Sequence, residues 1–317
     1  MTRVVGVFYL VEATESFRRK SRYAAHRMSI FSKFKGDKLS PSWRFAAVPG
    51  SIIWKLLISP DGILAGEERD PEGKTGTLFG IDVQLGTTLF RDKQIDESWW
   101  FNSEQATREN IYIHKFRKPD MPEPRGVTAL NVKTGEIRWE QPDVSMLFEL
   151  DGKLYSQRDG YGGKEFFALD SLTGEVAEAF GSEHSEILSR RALVRDDDTN
   201  SQFSIPVLPE DEIFSEIAKL LGESLNVKEL RGSIDFAEYG KYIIFSYHER
   251  ITDNANAALG NMLRNDIRIL DTEKGDIVHA QTLNSETPYP VPENFFINHG
   301  VLIYVKEKNE VVGISLA

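Results

Sequence analysis

One turn recurs four times in this chain. Each copy leaves an apolar strand at Asp or Asn, passes two or three residues, reaches Gly and enters a new apolar run. The copies centre on Asp82 and Gly86, Asn131 and Gly135, Asp170 and Gly174, and Asp271 and Gly275. The acidic or amide side chain accepts hydrogen bonds from backbone N–H groups just ahead of it. The glycine supplies the positive φ that brings the chain back antiparallel. The four glycines are 49, 39 and 101 residues apart, the last gap being about two periods. Turns at near-multiples of one period mark a repeat architecture.

The residues around the turns fill out four-stranded units. The first unit reads as strands 51–59, 62–67, 76–83 and 87–90. The second reads 97–104, 110–116, 126–132 and 136–140, and the third 144–150, 153–158, 165–170 and 175–180. A later unit reads 232–239, 241–248, 265–271 and 276–283, with a long loop, 249–264, between its second and third strands. The last has three strands, 294–299, 301–306 and 311–316, before the chain stops. A lone four-stranded sheet of about 45 residues leaves apolar faces in water, and radial stacking of such sheets buries them.

The string Asn131-Val-Lys-Thr-Gly-Glu-Ile-Arg-Trp139 resembles the repeats of quinoprotein-type (PQQ-like) β-propellers, of a bacterial kind to which no activity is assigned. The likeness covers residues 51–180 and 230–317, with Asn131 where the pattern has Asp. It implies an all-β β-propeller of five four-stranded blades, or six if residues 182–227 form a degenerate blade. It also implies closure of the last blade by an N-terminal strand, for which residues 42–46, carrying Trp43, fit the outer-strand pattern of residues 137–139. Quinone-binding members of that group typically have eight blades, a secretion signal, a calcium site and often a vicinal disulfide. This chain has fewer blades and no cysteine, so no quinone and no other cofactor is expected.

Two stretches fall outside the repeat. Within 182–227, strands are expected at 192–195 and 203–207, followed by a capping α-helix at 210–222. That helix opens on Glu210, Asp211 and Glu212, and carries Ile213, Phe214, Ile217, Leu220 and Leu221 on one face. The other stretch is the lead, residues 1–40, which holds nine Lys/Arg against three acids. It carries +6 of a chain whose net charge is −11, leaving −17 on residues 41–317, the expected propeller domain. The apolar run 4–11 is too short to span a bilayer and is followed by Glu12 and Glu15 rather than a cleavage site. The lead reads as a disordered tail or a membrane-surface segment, and Met28 offers an alternative start. The expectation is a cytoplasmic monomer with no transmembrane segment. The acidic body argues against nucleic acid as a partner.

Several strings have simpler readings than the sites they suggest. Residues 160–164, Gly-Tyr-Gly-Gly-Lys, lack the Ser or Thr and the helix of a phosphate loop and sit between two strands. Residues 196–200 begin like a calcium loop, but Ser201 stands where Gly is needed and Val207 where Glu is needed. Lys133-Thr134-Gly135 matches one box of penicillin-recognising enzymes, and the repeat already accounts for it. The six histidines show no metal-ligand spacing, and no metal is expected. His114 and His248 occupy equivalent second strands, with Tyr112 and Tyr247 at different offsets.

The functional expectation is therefore a non-catalytic interaction module with a protein partner or small ligand. Its candidate contact residues are Ile213, Phe214 and Ile217 of the capping helix, with Trp99 and Trp100 at the start of the second blade. Trp54 lies in the corresponding strand of the first blade. The loops 118–125 and 249–264 are further distinctive surfaces. Two alternatives stay open: a hydrolase or lyase with carboxylates such as Asp96, Glu97, Glu149, Asp235 or Glu238 at the channel mouth, and a peripheral membrane protein held by the basic lead. No catalytic residue is assigned.

Overall fold

The computed structural model describes residues 38–317 apart from 97, 119–120, 195–199, 212–213, 216, 218–226 and 252–261. The fold is all-β and is built from five antiparallel sheets, each wound as a β-propeller blade. The chain divides into two compact units, one of residues 46–200 and one of residues 1–45 with 201–317. Strand β1 (Trp43–Ala46) belongs with the last sheet and is taken up there.

The 46–200 unit holds three sheets, each of four strands in sequence order. The first is β2 (Ile52–Ile58), β3 (Ile63–Asp70), β4 (Thr75–Asp82) and β5 (Thr87–Gln94). The second is β6 (Phe101–Ala106), β7 (Asn110–Lys118), β8 (Met121–Asn131) and β9 (Ile137–Gln141). The third is β10 (Ser145–Leu150), β11 (Lys153–Gly160), β12 (Gly163–Asp170) and β13 (Val176–Gly181). The expected loop 118–125 is largely strand: β7 and β8 pair out to Lys118 opposite Met121. Gly160 pairs with Gly163 in a tight hairpin, as the strand context of that string requires.

The recurrent turn forms as its chemistry dictates. Asp170 Oδ1 accepts from the N–H groups of Leu172 and Thr173, and Gly174 N–H closes the turn on the Asp170 carbonyl. Asn131 does the same for Lys133 and Thr134, which is why an amide can replace the carboxylate. These hydrogen bonds hold the Asp170 carboxyl below its ordinary range, the bond from Thr173 foremost.

The turns also receive the neighbouring sheet. A Cβ on Gly135 would lie 2.6 Å from the Phe90 ring of β5, and one on Gly174 would lie 2.6 Å from the Trp139 ring of β9. Trp139 Nε1 donates to the Ser171 carbonyl at 3.0 Å, and Gln141 Nε2 donates to the Gly174 carbonyl at 2.9 Å. Each outer strand of the first two sheets thus lays an aromatic ring on the turn glycine of the next. Between the sheets, Tyr112, Val127, Trp139, Leu154, Phe167 and Leu169 form one buried cluster.

After β13 comes helix α1 (His184–Arg191), where no helix is expected from sequence. Ala192 is its C-cap, so the strand expected at 192–195 does not begin there. Ile187 is its one buried side chain, too few to write an apolar stripe in the sequence.

The other unit holds two sheets. The expected strand 203–207 is split into β14 (Ser201–Phe203) and β15 (Ile205–Val207), which add to different sheets. β15 pairs with β16 (Leu230–Tyr239), followed by β17 (Tyr242–Arg250), β18 (Leu263–Asp271) and β19 (Asp276–Thr287). β14 pairs with β20 (Phe295–Asn298), followed by β21 (Val301–Lys306), β22 (Glu310–Ser315) and finally β1. The strand carrying Trp43 therefore supplies the outer strand of the last sheet. His279 anchors its lead-in, with Nδ1 3.1 Å from the Leu39 carbonyl and Nε2 3.3 Å from the Tyr304 hydroxyl.

Gly174→Ala is expected to cost about 3 kcal/mol, combining ~1–2 kcal/mol for a left-handed alanine with ~1–3 kcal/mol of overpacking against Trp139. Gly240, also at positive φ but where an added Cβ would meet nothing within 4 Å, should lose only the backbone part on the same substitution, about 1–2 kcal/mol. Urea unfolding of the two variants checks the difference; equal losses would remove the role given to the indole.

Candidate functional site

The first strand of each sheet in the 46–200 unit carries a one-residue bulge. The residues left unpaired are Trp54 in β2, Glu104 in β6 and Leu147 in β10. A bulge bends its strand and re-aims the extra side chain. Two of the three re-aimed residues, Trp54 and Glu104, flank an unusual concentration of charge.

Arg69, next to last in β3, is buried. Its Nη2 donates to Glu67 Oε2 at 2.6 Å and to the Phe101 carbonyl at 2.5 Å, and its Nη1 donates to the Trp99 carbonyl at 2.5 Å. Three rings surround the guanidinium: Phe101 at 4.6 Å, Trp99 at 5.4 Å and Trp54 at 5.5 Å. Glu67 is fully buried, and its Oε1 accepts from both the N–H and the hydroxyl of Ser103, each at 2.6 Å. Together these groups join the end of β3 to the start of β6. Removing one partner of such a buried pair is costly, because the other charge stays behind in a medium that solvates it poorly.

Beside this pair, Lys55 Nζ donates to the Ser103 carbonyl and to Asn102 Oδ1. His114 of β7 faces Asn102 across the ladder and turns its Nδ1 to Glu104 Oε1 at 2.5 Å. The hydrogen bond from His114 holds the Glu104 carboxyl below its ordinary range, against the opposing pull of burial. Trp54 is 59% exposed and Trp100 39% exposed.

The other expected contact residues lie differently. Phe214 and Ile217 are buried in a cluster with Val207, Ile234, Phe236 and Phe245. Their side chains pack inward and present no surface, which corrects the reading of the 210–222 segment as a contact face through these two. Ile213 lies outside the described residues, as do Glu97, residues 196–198 and most of the loop 249–264. Trp99 is half-buried against Arg69.

The carboxylates considered for catalysis occupy separate settings. Glu149 is pushed above the ordinary carboxylate range by burial, opposed by hydrogen bonds from Tyr112 and Thr107. Asp235 is raised by burial as well, and its Oδ2 accepts from the Asn294 backbone at 3.1 Å and side chain at 2.8 Å. Glu238 stands three residues further along β16, on the opposite face of the strand. Near Asp235, His248 Nε2 accepts from the Val291 N–H at 3.0 Å. Burial lowers the His248 pKa to about 4. Among the described residues no three metal-ligating side chains gather, and no helix is long and apolar enough to cross a membrane.

Residues 58–139 match the family model described as a domain of unknown function (DUF4905), a stretch that contains Arg69, Trp99, Trp100 and His114. No curated protein matches the chain. Among solved structures it is similar to a europium-containing methanol dehydrogenase, at 11% identity over 81% of this chain and 57% of that one, TM-score 0.28. It is also similar to BamB from Moraxella catarrhalis, at 8% identity over 89% and 99%, TM-score 0.23. A third likeness is to the Dos1 propeller, at 14% identity over 84% and 59%, TM-score 0.28. The chain thus spans little more than half the length of the dehydrogenase, 57%. Likenesses this distant transfer no residue role.

Signals for the candidate site were only partly present in the sequence. The tryptophans stand out, whereas Arg69 and Glu67 sit in a Glu-Glu-Arg-Asp string that reads as a solvated strand end.

Two outcomes follow. Arg69→Ala should lose about 3–5 kcal/mol in urea unfolding by stranding Glu67, and adding Glu67→Leu should restore part of it; an additive double variant would contradict the pairing. For His248, the folded pKa lies below the unfolded value near 6.5, so the unfolded chain takes up the proton first as pH falls. Its contribution is intact above about pH 6.5 and is lost towards pH 4, by about 3 kcal/mol. The stability difference between wild type and His248→Asn should shrink over that interval; a pH-independent difference would refute the assignment.

Proposed function

We propose that this chain is a non-catalytic interaction module whose contact surface includes the exposed indoles on the first strands of its first two sheets. The observation that carries this reading is the saturation of the charges beside them. Arg69 is committed to Glu67, to two carbonyls and to three rings, and Glu67 to Arg69 and Ser103. Groups so engaged brace the strands that carry the indoles. Trp54 is held out on a bulge with Arg69 behind one face of its ring, and Trp100, next in sequence to Trp99, is also exposed. Exposed indoles on a rigid sheet lose little conformational entropy on binding and dominate contact energies at interfaces. With Arg69 already drawing on the Trp54 ring, the outer face favours neutral apolar groups over a second cation.

The test is a binding screen of the purified chain against immobilised peptides and glycans, read by tryptophan emission. Replacing Trp54 and Trp100 together by Ser should leave the melting curve nearly unchanged and weaken binding about tenfold or more. The exposed Tyr161→Ser serves as control and should bind as wild type. Binding indifferent to both tryptophans, or conversion of a bound compound to product, would overturn the proposal.

A further inference from the structure

We propose that residues 288–292 form a strap over β16 and β17 that is latched by neutral His248 and released when that ring takes up a proton.

The strap runs between two fixed ends. Thr287, the last residue of β19, is buried, and its hydroxyl donates to the Tyr289 carbonyl at 2.8 Å. At the far end Asn294 donates to Asp235 Oδ2 from its backbone at 3.1 Å and its side chain at 2.8 Å. Its Oδ1 accepts from Asn265 Nδ2 at 2.5 Å. Between these ends stand Pro288, Tyr289, Pro290, Val291 and Pro292, all exposed except the half-buried Val291. A proline has no N–H, so a stretch with three of them has few groups that can bond to a sheet. Pro290 rests on Gly232, where an added Cβ would come within 3.1 Å of the proline ring. Val291 makes the bond that holds the middle of the strap down: its N–H donates to His248 Nε2 at 3.0 Å.

That bond accepts only one form of the imidazole. A backbone N–H can donate but not accept, so Nε2 must turn its lone pair to Val291 and the proton of the neutral ring sits on Nδ1. Nδ1 is buried and has no hydrogen-bond partner among the described residues. A second proton would set N–H against N–H at Nε2 and leave a cation without an acceptor at either nitrogen. The charged groups nearby do not supply one. Arg231 faces His248 across the β16 ladder and leans to Glu229, while the neutral Asn265 faces it from β18. Asp266 of β18 favours the charged ring, but it is engaged by Arg264 and Thr282, and burial outweighs it. Glu249, next in the chain, pairs with Arg264, and Asp235 and Glu293 stand at the Asn294 end.

The direction of the effect follows. The latched ring is 2% exposed and its pKa is lowered to about 4, whereas a ring given back to water titrates near 6.5. The open strap therefore takes up the proton first, and opening is favoured progressively as pH falls between those values. Asp235 does not add to this. Burial raises its carboxyl, so acid does not loosen the Asn294 end, and the strap swings from that end.

Amide exchange of the intact chain, with each rate corrected for its intrinsic pH dependence, tests the inference. From about pH 7.5 to about pH 5 the opening that frees the Val291 amide should rise about thirtyfold. Ile244, in the middle of β17, should keep its protection over the same range. His248→Gln offers Val291 a neutral oxygen in place of Nε2, and its opening should change less than about threefold. Nitrogen-15 spectra of the wild-type ring at neutral pH should show the proton on Nδ1, a readout that does not depend on the variant folding. A proton on Nε2, a Val291 opening indifferent to pH, an equal rise in His248→Gln, or loss of Ile244 protection in step with Val291 would each overturn the inference.

Discussion

An aromatic ring laid on a turn glycine joins the sheets of the 46–200 unit. Phe90 reaches Gly135, and Trp139 reaches Gly174, each at a distance that leaves no room for a Cβ. The same glycines must also adopt positive φ, at +66° and +72°, to return their own chains. One residue type therefore meets two demands at once, a conformational one inside its sheet and a packing one from the sheet before it. The Trp139 and Gln141 hydrogen bonds to the turn carbonyls fix the direction of approach. Apolar burial alone is indifferent to direction, so these contacts specify how one sheet meets the next.

With the outer strands held in this way, the first strands are free to depart from regular pairing. They do so by one residue in each of the three sheets of that unit. The β2 bulge brings Trp54 over Arg69, and the β6 bulge brings Glu104 to His114. Arg69 and Glu67 then tie β3 to β6 through Ser103 and the carbonyls of Trp99 and Phe101. Buried charge is a poor source of net stability. Here it fixes how β3 meets β6, with the Trp54, Trp99 and Phe101 rings around the guanidinium.

The repeat was legible because its determinants are local. An Asx acceptor, a glycine and flanking apolar alternation stand within a few residues of one another, and all four such turns form. The outer strand contributed by Trp43 was legible for the same reason, through its likeness to Trp139. Helix α1 was not, since Ile187 alone is buried and a single apolar contact writes no period. The division of 203–207 into two strands for two sheets was hidden too, because an apolar run does not say which sheet it joins. The bulges are invisible to a period-two reading, which assumes one residue opposite each partner. Without them nothing connects Glu104 to His114, ten residues apart in the chain. The tryptophans were visible as candidates, whereas Phe214 and Ile217, chosen for their apolar face, proved to be core for that reason.

The docking of Trp139 on Gly174 is measured most directly by a double-mutant cycle between the two residues. The glycine is required for two reasons in this account, and only one of them depends on the indole. Trp139→Ala should therefore relieve the packing part of the cost of alanine at position 174 and leave the backbone part. A coupling energy of about 1–3 kcal/mol is predicted between the two substitutions. Strict additivity would show that ring and glycine act independently, and would contradict the docking that orders the sheets.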